Sequence, residues 1–448
     1  MRVYFYSLRI QEAPFSEIVR FDLWLGWVWS AYKLSVCTRR GYLLQPPQQP
    51  HIVLSHTSAL WYHRLAAAGI FSPPFSCNYK TLESAKDCLS KVPHLDKSWF
   101  HISTTDLAAR SIYIQNDVEN FLLEHPHEDP WTALAASSLL PHNFQPLKNI
   151  ELLCNSSAHR HWRNNVAVHR HSTALPKGLV LRAGVGLYVA SPEFTIFQMA
   201  RYLKDVHLLA ALITEFSGSY VLLPQGLLCC SRYTAEGKVP IQNSRLIGDG
   251  YVECAPLISV DNLKYLLNKY PELPGSTLVE KALKASGNGS ESPFETAVSV
   301  ELQLIRSRGG AGAGSARLNE KIPFNEIEQQ MANGRSHARA DILFVRPDGK
   351  RIDVEPGGVF GHSGKKAMDL DRRRRHALEH AGVEVIDITW DEYANRDVWE
   401  TICRRITNHL GKRFHVPSLS IQNKQQLVHD DFCNWNCMRI FPPDAWRR

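Results

Sequence analysis

The stretch "ADILFVRPDGKRIDVEPGG", residues 340–358, decides the fold predicted for the C-terminal part of the chain. Two apolar runs of strand length flank a Pro-Asp-Gly turn at 347–349, which predicts a β-hairpin. A three-residue turn centred on Asp348 pairs Asp341 with Glu355. Directly paired residues share one face of a sheet, with their β-carbons about 5 Å apart. The hairpin therefore predicts two carboxylates side by side.

Like charges directly opposite each other destabilise a sheet, so this pair needs a compensating partner. A hard cation such as Mg²⁺ is one solution, because it takes one or two carboxylates together with carbonyls and waters. A proton shared by the two acids is a second. A basic side chain is a third. Arg374 lies in the apolar stripe of a predicted helix, where an arginine needs an anion: either Glu355 or a substrate phosphate.

The segments around the hairpin predict an α/β fold. A helix begins at Pro293, because Ser292 is a good N-cap residue and Glu295 completes a capping box. The runs that follow alternate between strand and helix patterns and predict the order α-β-β-β-α-β-α. The later elements are a strand at 316–324, the two hairpin strands, a helix at 365–381, a strand at 383–390 and a helix at 396–410.

The chain of 448 residues is long enough for two or three domains. A run of small polar residues, "KASGNGSES" at 284–292, is typical of a boundary. The predicted organisation is an accessory segment at 1–50, a mixed α+β region at 51–285, the α/β domain at 286–415 and a C-terminal tail at 416–448.

Composition narrows the class of protein. Lys and Arg exceed Asp and Glu by 51 to 44, a net charge of +7, and the basic pairs concentrate in the last quarter of the chain. Such a cluster favours a polyanionic partner such as DNA, although the alternative is that these charges only form solvated helix surface.

The ten cysteines are scattered, and the single C-x₃-C pair at 433–437 argues against a zinc ribbon. Reduced thiols favour the cytoplasm. The apolar run at 23–32 is too short to cross a bilayer, so no membrane association is expected.

The linked motifs "SPFET", "RADILF", "IDVEPGGVFGH" and "DLDRRRRHALEHAGVEVIDIT" resemble the bacterial domains akin to very-short-patch-repair endonucleases. Those domains have the PD-(D/E)xK, restriction-endonuclease-like αβββαβ core. The resemblance covers little more than a quarter of the chain. More weakly, residues 53–66 and 188–203 are similar to AbiEi-type antitoxin-like regions, which often precede such nuclease domains. The matching positions of the nuclease motif are Glu295, Asp341, Glu355, His362, Asp371, Arg374, Leu378, Gly382 and Val385.

The resemblance implies a metal-dependent endonuclease that hydrolyses DNA in defence or repair. Mg²⁺ or Mn²⁺ would be held by Asp341 and Glu355 with the carbonyl of Pro356. The catalytic group would be completed by His362, as general base or phosphate contact, and by Glu295, with Glu301 on the same helix as an alternative. Phosphate binding falls on Arg374 and Lys365, and Asp371 would support the site from outside.

One departure from the family pattern is serious. The lysine of the E-x-K motif is absent, because residue 357 is glycine. Lys365 or Lys366 would have to supply that charge from the following helix. Two alternatives to a nuclease therefore stay open. The first is a catalytically inactive DNA-binding protein of the same fold that acts as an antitoxin-like regulator. The second is an interaction protein without a nucleic-acid role. The N-terminal region is a candidate site for a protein partner.

Overall fold

The computed structural model describes residues 52–67, 150–154, 166–171, 175, 178–182, 187–222, 231–234, 237–240, 251–357, 365–412 and 416–434. Within these ranges the chain is an α/β protein, as its sequence pattern predicts. Its two larger sheets have five and four strands. None of the described helices is long and apolar enough to cross a membrane.

The N-terminal part is built on the five-stranded sheet, in the order β3-β2-β1-β5-β4. Ser191 caps the helix after β5 by accepting a hydrogen bond from the Phe194 amide, and almost every residue of the next helix is buried. The elements are β1 (Ile52–Leu54), α1 (His56–Ala67), β2 (Ile150–Cys154), β3 (Val166–Arg170), β4 (Val180–Arg182), β5 (Leu187–Ala190), α2 (Pro192–Leu203), α3 (Val206–Phe216), β6 (Tyr220–Leu222), β7 (Ser231–Thr234), β8 (Gly237–Pro240) and β9 (Tyr251–Glu253).

The C-terminal part is built on the four-stranded sheet, in the order β10-β11-β12-β13. The first two pairings are antiparallel, and the last is parallel, with a helix as the crossover. The elements are α4 (Val260–Lys269), α5 (Ser276–Leu283), α6 (Pro293–Gln303), β10 (Arg317–Pro323), α7 (Glu326–Met331), β11 (His337–Val345), β12 (Arg351–Pro356), α8 (Lys365–His380), β13 (Val383–Ile388), α9 (Trp390–Ala394), α10 (Arg396–His409) and α11 (Leu419–Cys433).

The hairpin forms with the register that its turn predicts. Ile342 pairs with Val354 at the end of the ladder that is farther from the turn, and the turn is closed by the Gly349 amide, which donates to the Arg346 carbonyl at 3.0 Å. The ladder ends at this pair, and the next position of the same register would set Asp341 opposite Glu355. Gly349 adopts a φ of 85°, a conformation that glycine reaches without steric cost.

The helix boundaries also agree with the sequence signals. The Ser292 hydroxyl accepts a hydrogen bond from the Glu295 amide at 3.2 Å and caps α6. In a capping box the Glu295 carboxylate would accept a hydrogen bond from the Ser292 amide. Here it accepts one from the Glu291 amide, one residue earlier, at 2.8 Å. Helix α8 ends at His380, and Gly382 follows with a φ of 75°.

The hydrophobic core runs through both parts of the described chain. The inner face of the four-stranded sheet joins a cluster that extends from Val53 to Phe432. Its other face packs on α8 in a smaller cluster that includes Leu343 and Leu378. The polar run at 284–292 packs against the segment that follows α3. The Ser219 amide donates a hydrogen bond to the carbonyl of Ser290, which is buried, at 2.8 Å.

Glu301 on α6 is the centre of a buried polar network. Its carboxylate accepts hydrogen bonds from the Tyr393 hydroxyl at 2.9 Å and from Arg396 at 3.4 Å, and it contacts His429 Nδ1 at 3.3 Å. Burial alone would lower the pKa of His429. The contacts with Cys433 and Glu301 outweigh burial and raise that pKa to about 9. The network therefore ties α11 to α6 through a charged histidine.

We expect this network to make the free energy of unfolding decrease as pH rises. Because the pKa of His429 is raised in the folded state, its contribution is complete below pH 6.5 and is lost as pH rises through about 9. Replacing Glu301 with glutamine should cost about 3 kcal/mol, because it leaves buried positive charge unpaired. Urea unfolding of His429→Gln should show a smaller loss of stability between pH 6.5 and 9 than the parent chain, whereas the exposed control His376→Gln should not. Equal pH profiles in all three proteins would contradict this account.

Candidate carboxylate site

Three carboxylates share the face of the hairpin that is turned toward α8. Asp353 and Glu355 are two residues apart in β12 and therefore project from the same side of the strand. Asp341 lies one position beyond the Ile342–Val354 pair, and the charge of Glu355 acts on it. Asp353 is fully buried, Glu355 is buried, and Asp341 is half-buried. The sequence pattern had identified two of these acids, and the structure adds Asp353.

Arg374 of α8 reaches into this group. Its Nη2 atom lies 2.6 Å from Glu355 Oε2, and its Nη1 atom donates to the Arg339 carbonyl at 3.2 Å. Asp371, one turn earlier, accepts from Arg374 Nε at 3.2 Å and so orients the guanidinium. Burial would lower the pKa of Arg374, but its bonds with Glu355 outweigh burial and raise it. A basic side chain thus compensates one oxygen of Glu355.

The remaining oxygens have no such compensation. Within the described part of the chain, no N–H group or hydroxyl reaches Glu355 Oε1 or either carboxylate oxygen of Asp353, and the hydrogen bond that acts on Asp353 is with the Glu355 carboxyl group itself. Burial, reinforced by the neighbouring Glu355, raises the pKa of Asp353 to about 9. Burial, with Glu295 and Glu355 nearby, raises the pKa of Asp341 to about 8. Without a cation, the carboxyl groups of Asp341 and Asp353 therefore hold protons at neutral pH.

Glu295 belongs to the rim of the same cluster. Its Oε2 atom accepts from the Asn319 side-chain amide at 3.2 Å, and its charge acts on Asp341. Burial raises the pKa of Glu295 to about 7. Asn319 lies in β10 at the register position opposite Asp341, with a φ of 51° that asparagine tolerates better than most residues. Glu301, the alternative to Glu295, is held in its own network with Tyr393.

The structure brings together five of the seven residues selected from the sequence: Glu295, Asp341, Glu355, Asp371 and Arg374. His362 lies outside the described residues. Lys365 is the first residue of α8, but its side chain lies outside the described part as well. The missed residue, Asp353, does have a sequence signal. In "DVE" it stands two positions before Glu355, the spacing that places two strand residues on one face.

The donor set fits a hard divalent cation. Asp341 and Glu355, with the carbonyl of Pro356, would hold Mg²⁺ or Mn²⁺, and the orphaned oxygens of Glu355 and Asp353 are the kind of atom such an ion satisfies. Among the described residues, Asp341, Asp353 and Glu355 do not bring one oxygen each within 4.8 Å of one another. Mg²⁺ is usually bound by one or two protein carboxylates, and waters and substrate oxygens complete its coordination shell.

The basic surface around α8 and α10 is more balanced than the sequence suggests. Arg372 pairs with Asp369, and Arg375 forms a close bidentate pair with Asp387. Arg404 lies 3.6 Å from Glu400, and Arg405 lies 3.4 Å from Glu384. These exposed pairs leave a surface of mixed charge, with positive groups close to the carboxylates.

Comparisons with known proteins give no match: no family model, no curated protein and no solved structure is similar to this chain. The chemistry of the carboxylate site therefore has to support any function that is assigned to it.

Proposed function

We propose that the C-terminal α/β region is a metal-dependent endonuclease that hydrolyses DNA phosphodiester bonds. The fold proposed for it is the restriction-endonuclease-like core, in which a helix precedes three strands and a crossover helix leads to the fourth. The order α6, β10, β11, β12, α8, β13 supports this reading, with the short helix α7 inserted between β10 and β11.

The observation that carries the proposal is the set of buried carboxylate oxygens without N–H or hydroxyl donors, next to a buried arginine. Asp353 and Glu355 leave three such oxygens among the described residues, and Arg374 lies beside them. A sheet that only needed stability would fill these positions with apolar side chains, because buried polar groups without hydrogen-bond partners are costly. Divalent metal and substrate phosphate are the partners that would use both the acids and the arginine.

Each residue then has a role in hydrolysis. A bound Mg²⁺ or Mn²⁺ would activate a water and stabilise the charge that develops on the scissile phosphate. Arg374, which lies beside Glu355, would contact a phosphate oxygen of the substrate. Asp371 keeps the guanidinium oriented. Glu295, with a pKa of about 7, can hold or release a proton at the rim near neutral pH.

The test is nicking of supercoiled plasmid DNA by the full chain. We expect cleavage that requires Mg²⁺ or Mn²⁺ and falls at least about 10³-fold in Asp341→Asn, because the metal loses one of its two carboxylates. Asp348→Asn is the matched control. It makes the same chemical change in the same hairpin, at an exposed turn position whose partner is Arg346. Metal-independent nicking, or equal loss in both variants, would exclude the proposed site.

DNA-binding and cleavage assays on the same protein also distinguish the two alternatives to a nuclease. DNA binding that weakens steeply with salt, without cleavage under any metal, would indicate a catalytically inactive DNA-binding protein. The absence of lysine at position 357 is the observation that favours this second candidate. A chain that neither cleaves nor binds DNA would instead be an interaction protein.

A further inference from the structure

A second polar cluster lies in the N-terminal part of the chain and contains His56, Glu151 and His169. One ligand atom from each of the three lies within 4.8 Å of the others. His169 Nε2 is 2.9 Å from Glu151 Oε1, and the imidazole rings of His56 and His169 have centroids 3.8 Å apart. Two imidazoles and a carboxylate thus converge on one point.

The strand register brings these residues together from distant parts of the chain. Glu151 lies beside the end of β1, where its carbonyl accepts from the Ser55 amide at 2.9 Å. His169 pairs with Leu153 in the parallel ladder between β2 and β3, and therefore shares a face with Glu151. His56 begins α1 with a φ of 50°, and its amide donates to the Gln198 side chain at 2.9 Å.

Neighbouring groups occupy the other polar atoms of two members of this cluster. Ser55 Oγ lies 3.1 Å from His56 Nδ1, and among the described residues no hydrogen bond occupies His56 Nε2, the atom that would coordinate. The Thr57 amide donates to Glu151 Oε2 at 2.7 Å, and the Thr57 hydroxyl also donates to that oxygen, which leaves Oε1 facing His169. Such outer contacts fix the orientation and tautomer of ligands in metal sites.

Burial and protonation also suit metal binding. Glu151 is fully buried, His56 is buried, and the His169 side chain is 22% exposed. Burial, together with the proximity of His169, lowers the pKa of His56 to about 3, so this imidazole is neutral at pH 7. Burial opposes ionisation of Glu151, but the bond with His169 and further contacts outweigh it, and its pKa is lowered.

We propose that His56, Glu151 and His169 form a binding site for one divalent first-row transition-metal ion, with Zn²⁺ as the reference ion. Two imidazoles and one carboxylate match the three protein ligands of open zinc sites, in which a water or substrate takes the fourth position. Imidazole selects Zn²⁺, Co²⁺ and related ions over Mg²⁺, which prefers oxygen ligands. The site is independent of the proposed nuclease centre and uses none of its residues.

The experiment titrates Co²⁺, a spectroscopic substitute for Zn²⁺, into the full-length metal-free chain. We expect about one equivalent to give visible d–d absorption, without the thiolate charge-transfer band that the cysteines would produce. Zn²⁺ should displace the Co²⁺ signal, and millimolar Mg²⁺ should leave it unchanged. His169→Ala should weaken binding on the order of 100-fold. The exposed histidine variant His376→Ala is the control and should bind as the parent chain does.

A second readout separates loss of a ligand from loss of the fold. Zn²⁺ should raise the thermal unfolding midpoint of the parent chain by a few degrees through mass action, and should not raise that of His169→Ala or Glu151→Gln. Asp341→Asn should retain the full Zn²⁺ effect. An unchanged Co²⁺ spectrum in His169→Ala, a thiolate band, or equal Zn²⁺ stabilisation in all variants would overturn the assignment. If Glu151→Gln fails to fold, the partly exposed position 169 still decides the outcome.

Discussion

Asp353→Asn is expected to reduce metal-dependent DNA cleavage at least about 10³-fold and, at the same time, to make the metal-free protein more stable. Both effects follow from the carboxylate oxygens of Asp353, which a cation held by Asp341 and Glu355 would stabilise and which are costly to bury without one. Asp353 is fully buried, and no N–H group or hydroxyl among the described residues reaches its carboxylate. The aspartate has to take up a proton in order to be buried, and asparagine does not, so the folded state loses a cost of about 1–3 kcal/mol.

The stabilisation by Asp353→Asn should grow with pH. The pKa of Asp353 is raised from an ordinary 3.8 to about 9, so the folded state holds a proton that the unfolded state has lost. The penalty from this group is therefore absent below pH 3.8, increases as pH rises, and levels off above about 9. Urea unfolding at pH 6 and at pH 8.5 should show the larger difference between variant and parent at the higher pH.

Mg²⁺ provides the complementary measurement. In the parent chain it should raise the unfolding midpoint more at pH 8.5 than at pH 6, because the raised pKa values of Asp341 and Asp353 leave the acids partly protonated at the lower pH. Asp353→Asn should lose most of this response, whereas Asp348→Asn should keep it. A variant that is less stable than the parent at both pH values and still cleaves DNA would make Asp353 an ordinary structural residue.

The sequence predicted those features of the site that depend on local geometry. The hairpin register follows from a three-residue turn, and the start of α6 follows from Ser292 and Pro293. The alternation of "DVE" also places Asp353 on the same face as Glu355, so strand periodicity alone carries the signal for the third acid.

Other features depend on contacts between distant segments, which no local rule supplies. Glu295 and Glu301 both lie on α6, and their separate roles follow from Asn319 in one case and from Tyr393 in the other. The cluster of His56, Glu151 and His169 shows the same limit more strongly. His56 and Glu151 meet only because β1 and β2 pair across a long interval of sequence. Nothing near either residue signals the other.

Gly357→Lys is expected to increase DNA cleavage about 10²-fold, by restoring the cation that the E-x-K pattern contains and this chain lacks. Position 357 directly follows β12 and is two residues beyond Glu355, so continued strand periodicity directs a side chain toward the acids. Gly357 is exposed, a β-carbon there would meet no atom within 4 Å, and its φ is not positive. The hydrogen bond from its backbone amide to the Ile388 carbonyl, 2.9 Å long, is retained in the variant because it involves only backbone atoms.

The gain from Gly357→Lys should depend on charge and on the metal site together. Gly357→Gln, with a neutral side chain of comparable reach, should not increase the rate, and Gly357→Lys combined with Asp341→Asn should be inactive. The rates are compared at the same Mg²⁺ concentration by single-turnover nicking of plasmid DNA. Equal rates for lysine and glutamine at position 357 would mean that the site does not use a cation there. The absence of a lysine at position 357 would then indicate that this chain does not carry out the proposed hydrolysis. That result would favour the catalytically inactive DNA-binding protein over the nuclease.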